Sequence, residues 1–118
     1  MKQLNRDKSI LEHIVVYTVK IENSIRRFGN GFRVFLEDAD FRDAVSMNIL
    51  QIGELAKKLS DDYIQKTSHE MNWKAIKGMR DFFAHDYGSM DVERIWETAV
   101  NDIPALKEFC EDQIRNYQ

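Results

Sequence analysis

At 118 residues, 43% apolar and 11% aromatic, the chain is sized for one domain over residues 1–118 with a core of its own, which excludes dependence on the disulfides or metals that stabilise much smaller folds. A net charge of −3 excludes the broad basic surface of non-specific nucleic-acid binders, so any RNA must be held by a local patch. The lone Cys110 excludes an internal disulfide, and with neither a signal-peptide-like start nor an apolar run near the roughly 18–20 residues of a membrane span, a reducing cytosol is the expected compartment.

Only one proline and five glycines interrupt the helical periodicity. Ile10, Ile14, Tyr17, Ile21, Ile25 and Phe28 recur at steps of four or three, and Leu11, Val15 and Val19 widen the stripe, which predicts a long first helix. Gly29-Asn30-Gly31 ends it, because glycine and asparagine tolerate the left-handed conformation. Phe32 to Asp40 mixes apolar and acidic residues over too short a span for a period and reads as a connector with room for a helical turn. From about Phe41 a second helix runs through Val45, Ile49, Ile52, Ala56 and Leu59, with Ala44 and Leu55 alongside, to Ser60-Asp61-Asp62, a break or a new cap. Gly53 lies inside it at a cost of about 1 kcal/mol relative to alanine, so close approach of a neighbouring helix is its expected reason.

Residues 61–71 are polar, with Tyr63 and Ile64 able to anchor a short helix. Asn72 is a fitting cap for a third helix holding Trp73, Ile76, Met79 and Phe83 and ending near Gly88. The final helix starts at Asp91 and carries Val92, Ile95, Trp96, Ala99, Ile103, Leu106, Phe109 and Ile114, with Pro104 predicting a kink or a split. The fold class is therefore all-α: an antiparallel bundle of four to five helices, the long N-terminal pair and the C-terminal helix packed around the third.

The chemically informative segment is residues 78–88, where Arg80, Asp81, His85 and Tyr87 gather. On a continuous helix Arg80 and Tyr87 share a side, as do Asp81 and His85, whereas Arg80 and His85 diverge by roughly 140°. They converge only if the helix loosens near Gly88 or a second copy lays the same segment across the first. By spacing alone, surface cations near a helix end and a tyrosine helix stop are the leading reading of these residues. Glu54 is either solvated or paired with a cation such as Arg80. Lys57, Lys58, Lys74, Lys77 and Arg42 either supply local positive charge for RNA or simply line wet helix faces.

His13 and His69 read as structural or surface histidines. Glu12, Glu54, His69 and His85 are metal ligands in principle, yet no E-x-x-H or H-x-x-x-H pair presents two of them on one helix, so no metal and no cofactor are expected. Trp73 and Trp96 read as core, and Cys110 as a small hydrophobe.

Residues 80–87 match R-x-x-x-x-H-x-Y and resemble the signature of the HepT-like branch of the HEPN superfamily. Residues 52–56, Ile-Gly-Glu-Leu-Ala, resemble the I-G-E-A segment of those proteins. Residues 73–80 resemble their W-x-x-I-x-G-M-R approach, and Val92 to Trp96 followed by Ile103-Pro104 resembles their final helix. The likeness covers roughly residues 5 to 115 in order; Asp81 departs from it, standing where those proteins more often have asparagine.

The resemblance implies a helical homodimer whose two R-x-x-x-x-H segments face each other in a composite, metal-independent endoribonuclease site. The chain would be the toxin of a type VII-like toxin–antitoxin pair. Arg80 would clamp the phosphate, His85 would move protons, and Asp81 and Glu54 would support them. Tyr87 would accept AMP from a partner nucleotidyltransferase antitoxin. A second expectation stays open beside it: a non-catalytic helical dimer that binds and assists a nucleotidyltransferase.

Overall fold

The computed structural model describes residues 2–82 and 92–117, with side chains over 6–80 and 92–117. Every regular element among them is helical. The first, α1 (Lys2–Phe28), has 27 residues, about 40 Å at 1.5 Å per residue. Its buried positions are Asp7, Ile10, Leu11, Ile14, Thr18 and Ile21, while Tyr17, Ile25 and Phe28 pack at the margin. Thr18 is tolerated in this apolar stripe because its hydroxyl donates to the Val15 carbonyl at 2.7 Å. Gly29 then takes φ +125°, its amide donating to the Ile25 carbonyl, as expected of a glycine stop.

Phe32–Glu37 is a helix, α2, where the sequence suggested a connector. Six residues are too few to show a period, and only Phe35 is buried, so its anchor is tertiary: the ring meets Phe41 edge-on at 5.0 Å and Trp96 at 5.1 Å. Asp38 caps α3 (Ala39–Ala56), accepting from the Asp40 and Phe41 amides, which starts that helix two residues before Phe41. It stops at Ala56, short of Leu59.

Ser60 is a new cap, not merely a break. Its hydroxyl accepts from the Tyr63 amide and opens α4 (Asp61–Thr67), with Asp61 and Asp62 favourably placed in the first turn. Asn72 caps α5 (Trp73–Gly78) as expected, accepting from Ala75. The α-helix ends there, however, and tightens into a 3₁₀ turn over Met79–Phe82. Gly78 is a weak helix former, and a final turn often satisfies its amides with shorter i→i+3 bonds, as Met79 does to the Ile76 carbonyl. The expected continuation through Phe83 to Gly88, and the Asp91 cap, lie outside the described residues.

Beyond them, α6 (Val92–Glu97) passes through a π-helical turn (Thr98–Asp102) into α7 (Ile103–Asn116). Pro104 sits in the first turn of α7 and crowds the carbonyl four residues back. The chain answers with a widened turn, in which the Ile103 amide reaches the Thr98 carbonyl. Packing is organised on α1, which lies along both α3 and α7, while α5 and the 3₁₀ turn lie on α3. Among the described residues the long helices thus pack on α1, which has the longest apolar stripe, rather than around the expected third helix, whose second half lies outside them. No helix among the described residues is long and apolar enough to cross a membrane.

Candidate active site

Gly53 and Arg80 meet where the end of α5 crosses α3. A Cβ on Gly53 would lie 3.0 Å from the Arg80 amide nitrogen and 3.3 Å from its Cβ, so the absent side chain lets the two backbones touch. The next residue on α3, Glu54, places Oε1 2.6 Å from Arg80 Nε. Both side chains are partly exposed, at 40% and 43%. An ion pair this wet stabilises the fold by about 0–1 kcal/mol, so its consequence is orientation more than stability. Glu54 engages one corner of the guanidinium fork and limits where the rest can aim.

Of the predicted site residues, the fold brings Arg80 and Glu54 together. Asp81 continues the 3₁₀ turn, but its side chain lies outside the described residues, as do His85 and Tyr87 altogether. The angular relation expected between Arg80 and those two assumed 100° per residue, a premise that does not hold over Met79–Phe82, where the turn tightens. Among the described residues no three His, Cys, Asp or Glu side chains gather as a metal site.

His13 is exposed, with Nδ1 2.7 Å from the Ser9 carbonyl, and His69 is exposed beside Glu70. Trp73 is buried, donating Nε1–H to Thr67 Oγ1 at 2.8 Å, and Trp96 packs on Phe35 and Phe41. Cys110 is fully buried, and burial pushes its thiol up to about 12. Sequence reasoning did not single out Asp7. Its carboxylate is buried, accepting from the Ser60 amide at 2.9 Å and hydroxyl at 2.6 Å, and so ties α1 to the corner from which α4 and then α5 depart. The available signal was its position four residues before Leu11, on the buried stripe.

The model of the family described as Ribonuclease HepT-like matches residues 17–112, a span that holds Gly53, Glu54 and Arg80 together with the motif segment. A protein of Thermococcus cleftensis named "Probable ribonuclease HepT" is 34% identical over 107 residues, covering 91% of this chain and 93% of its own. A protein of Caldanaerobacter subterraneus subsp. tengcongensis, provisionally named as an RNase, is 33% identical over 97 residues, covering 82% and 84%. Another provisionally named RNase, from Methanocaldococcus jannaschii, is 31% identical over 111 residues, covering 94% and 89%. No solved structure matches. With the family's model spanning most of its length and relatives of matching size at about a third identity, this chain belongs to the HepT-like ribonuclease family.

Proposed function

We propose that the chain is an endoribonuclease toxin that cleaves RNA at a site built on Arg80 and His85 of two facing copies. The observation that carries this reading is Arg80: its backbone packs against Gly53 and its permanently charged guanidinium is engaged by Glu54, at the start of the R-x-x-x-x-H segment in a chain of the HepT-like family. In the reaction the RNA 2′-oxygen attacks the adjacent phosphorus and the 5′-oxygen leaves. That requires a base for the 2′-hydroxyl proton, an acid for the leaving oxygen and a cation for charge growing on the phosphoryl oxygens. His85 moves the protons, a role typically worth about 10²–10⁴-fold in rate. Arg80 grips the phosphate through its terminal amino groups, with Nε committed to Glu54. Asp81, preceding His85 by four residues, holds the imidazole.

Tyr87 is the regulatory hydroxyl in this reading. A partner nucleotidyltransferase antitoxin transfers AMP to it, forming a phosphodiester at the tyrosyl oxygen and releasing pyrophosphate from ATP. The added anion competes for Arg80 and obstructs the path of RNA.

The test is cleavage of RNA in chelator by AMP-free protein, comparing the unaltered chain with Arg80→Ala and His85→Ala. Loss of at least about 10²-fold in each supports the nuclease. Full activity in both variants overturns the assignment of residues. No cleavage by the unaltered chain, together with tight binding of a nucleotidyltransferase, supports the non-catalytic partner instead.

A further inference from the structure

The segment from Asn72 to Arg80 repeats every three residues, and each phase has its own character. Trp73, Ile76 and Met79 are buried, at 2%, 5% and 3% exposure. One position later in each case stand Lys74, exposed, and Lys77 and Arg80, half-buried. Between Lys74 and Lys77 the α-helix turns back by about 60°, a small offset. Between Lys77 and Arg80 the chain enters the 3₁₀ turn, which brings residues three apart toward eclipse. The tightening at Met79 thus extends a row of cations, Lys74–Lys77–Arg80, over about 10 Å of helix edge. Among the residues whose side chains are described, 6–80 and 92–117, neither lysine has an ion-pair partner.

Charge balance gives this row a purpose. Arg80 and Glu54 together are neutral, while a scissile phosphodiester brings one negative charge and gains more as it reacts. With a whole-chain charge of −3, attraction for RNA has to come from cations near the site. We infer that Lys77 and Lys74 form a phosphate track leading away from Arg80, and that its ligand is single-stranded RNA with at least two phosphates beyond the scissile one. The inference rests on the nuclease reading for which phosphate is cut, but not for binding.

A single file of cations suits one backbone strand. Duplex RNA instead presents a wide minor groove read by shape and 2′-hydroxyls, and its regular backbone holds the 2′-oxygen out of line with the leaving oxygen. Lys74 is exposed and Lys77 half-buried, and neither belongs to the core, so both can be exchanged without disturbing it.

The experiment measures binding of a short fluorescent single-stranded RNA, 2′-O-methylated so that it cannot be cut, to the full AMP-free chain over a range of salt. Lys74→Gln and Lys77→Gln should each lower the slope of log affinity against log salt by about 0.7, with a several-fold loss of affinity, and the double variant by about twice that. Lys66→Gln, on α4, should change neither. Duplex RNA should bind more weakly and respond less. An unchanged slope in the double variant, equal losses for duplex and single strand, or no binding by the unaltered chain overturns the track. If the slope falls as expected but the unaltered chain cleaves no RNA, the nuclease reading fails and the track stands. Normal cleavage with lysine-independent binding is the reverse outcome.

Discussion

Gly53 shows how one missing methyl group sets a site. Alanine in its place gains about 1 kcal/mol of helix propensity, yet its Cβ would press on the Arg80 backbone, which has no flexible end to give way. Overpacking of this kind costs about 1–3 kcal/mol. Gly53→Ala is therefore expected to lower stability by roughly 0–2 kcal/mol in urea unfolding. In the proposed nuclease it should lower RNA cleavage by much more than that loss explains, since the 3₁₀ turn carrying Arg80 must shift. Cleavage at the level of the unaltered chain would show that the close approach does not set Arg80's aim. The position was legible as a costly helix glycine, but nothing in the sequence said which backbone it admits, because that contact spans 27 residues of chain.

The helices of this fold are set as much by their ends as by their faces. Asp38, Ser60 and Asn72 each close an amide at a helix start, and all three are recognisable residue types for the task. The Ser60 cap has a support that its own segment does not reveal, the buried Asp7 carboxylate from α1. Replacing Asp7 by Ala would leave a buried amide and hydroxyl without their acceptor, at roughly 1–3 kcal/mol for each unsatisfied group. A fall in the urea midpoint is expected, and Asp7→Ala and Ser60→Ala should be non-additive in a double-mutant cycle. Strictly additive losses would mean that the two residues act separately. Helix α2 lay hidden for a related reason: its anchor, Phe35, is held by rings from α3 and α6 rather than by any local period.

At the scale of the molecule, two aromatic groups tie the elements together. Phe28, Phe35, Phe41 and Trp96 join α1, α2, α3 and α6, while Tyr63, Trp73, Phe109 and Tyr117 join α4, α5, α7 and the residue after it. The second group holds phenols whose ionisation is disfavoured. Burial raises Tyr63 first of all, with Tyr117, Cys110 and Asp7 adding to it, and burial likewise raises Tyr117. The Cys110 thiol is raised from 9.0 to about 12, chiefly by burial and then by Glu111.

Groups that hold their protons more tightly when folded contribute stability that is complete below their unfolded pKa and lost as pH rises toward the folded value. Thermal stability should therefore fall from about pH 9 upward, the thiol contributing across the interval to about 12. Cys110→Ala should flatten part of that fall, and alkylation of the native thiol at pH 8 should be slow until the chain is unfolded. Rapid native alkylation, or a Tm independent of pH between 9 and 11, would contradict this account.

The all-helical class, the long first helix, the glycine stop and the Asn72 cap were properties of local spacing and residue chemistry, and for that reason the sequence alone determined them. Tertiary structure decided the rest: the length of the third helix before it tightens, the π turn that accommodates Pro104, the burial of Asp7, and the meeting of Gly53 with Arg80. Each depends on atoms brought together from distant parts of the chain, or on which of several nearly equal backbone hydrogen-bond patterns the surrounding core selects. Periodicity carries no record of either.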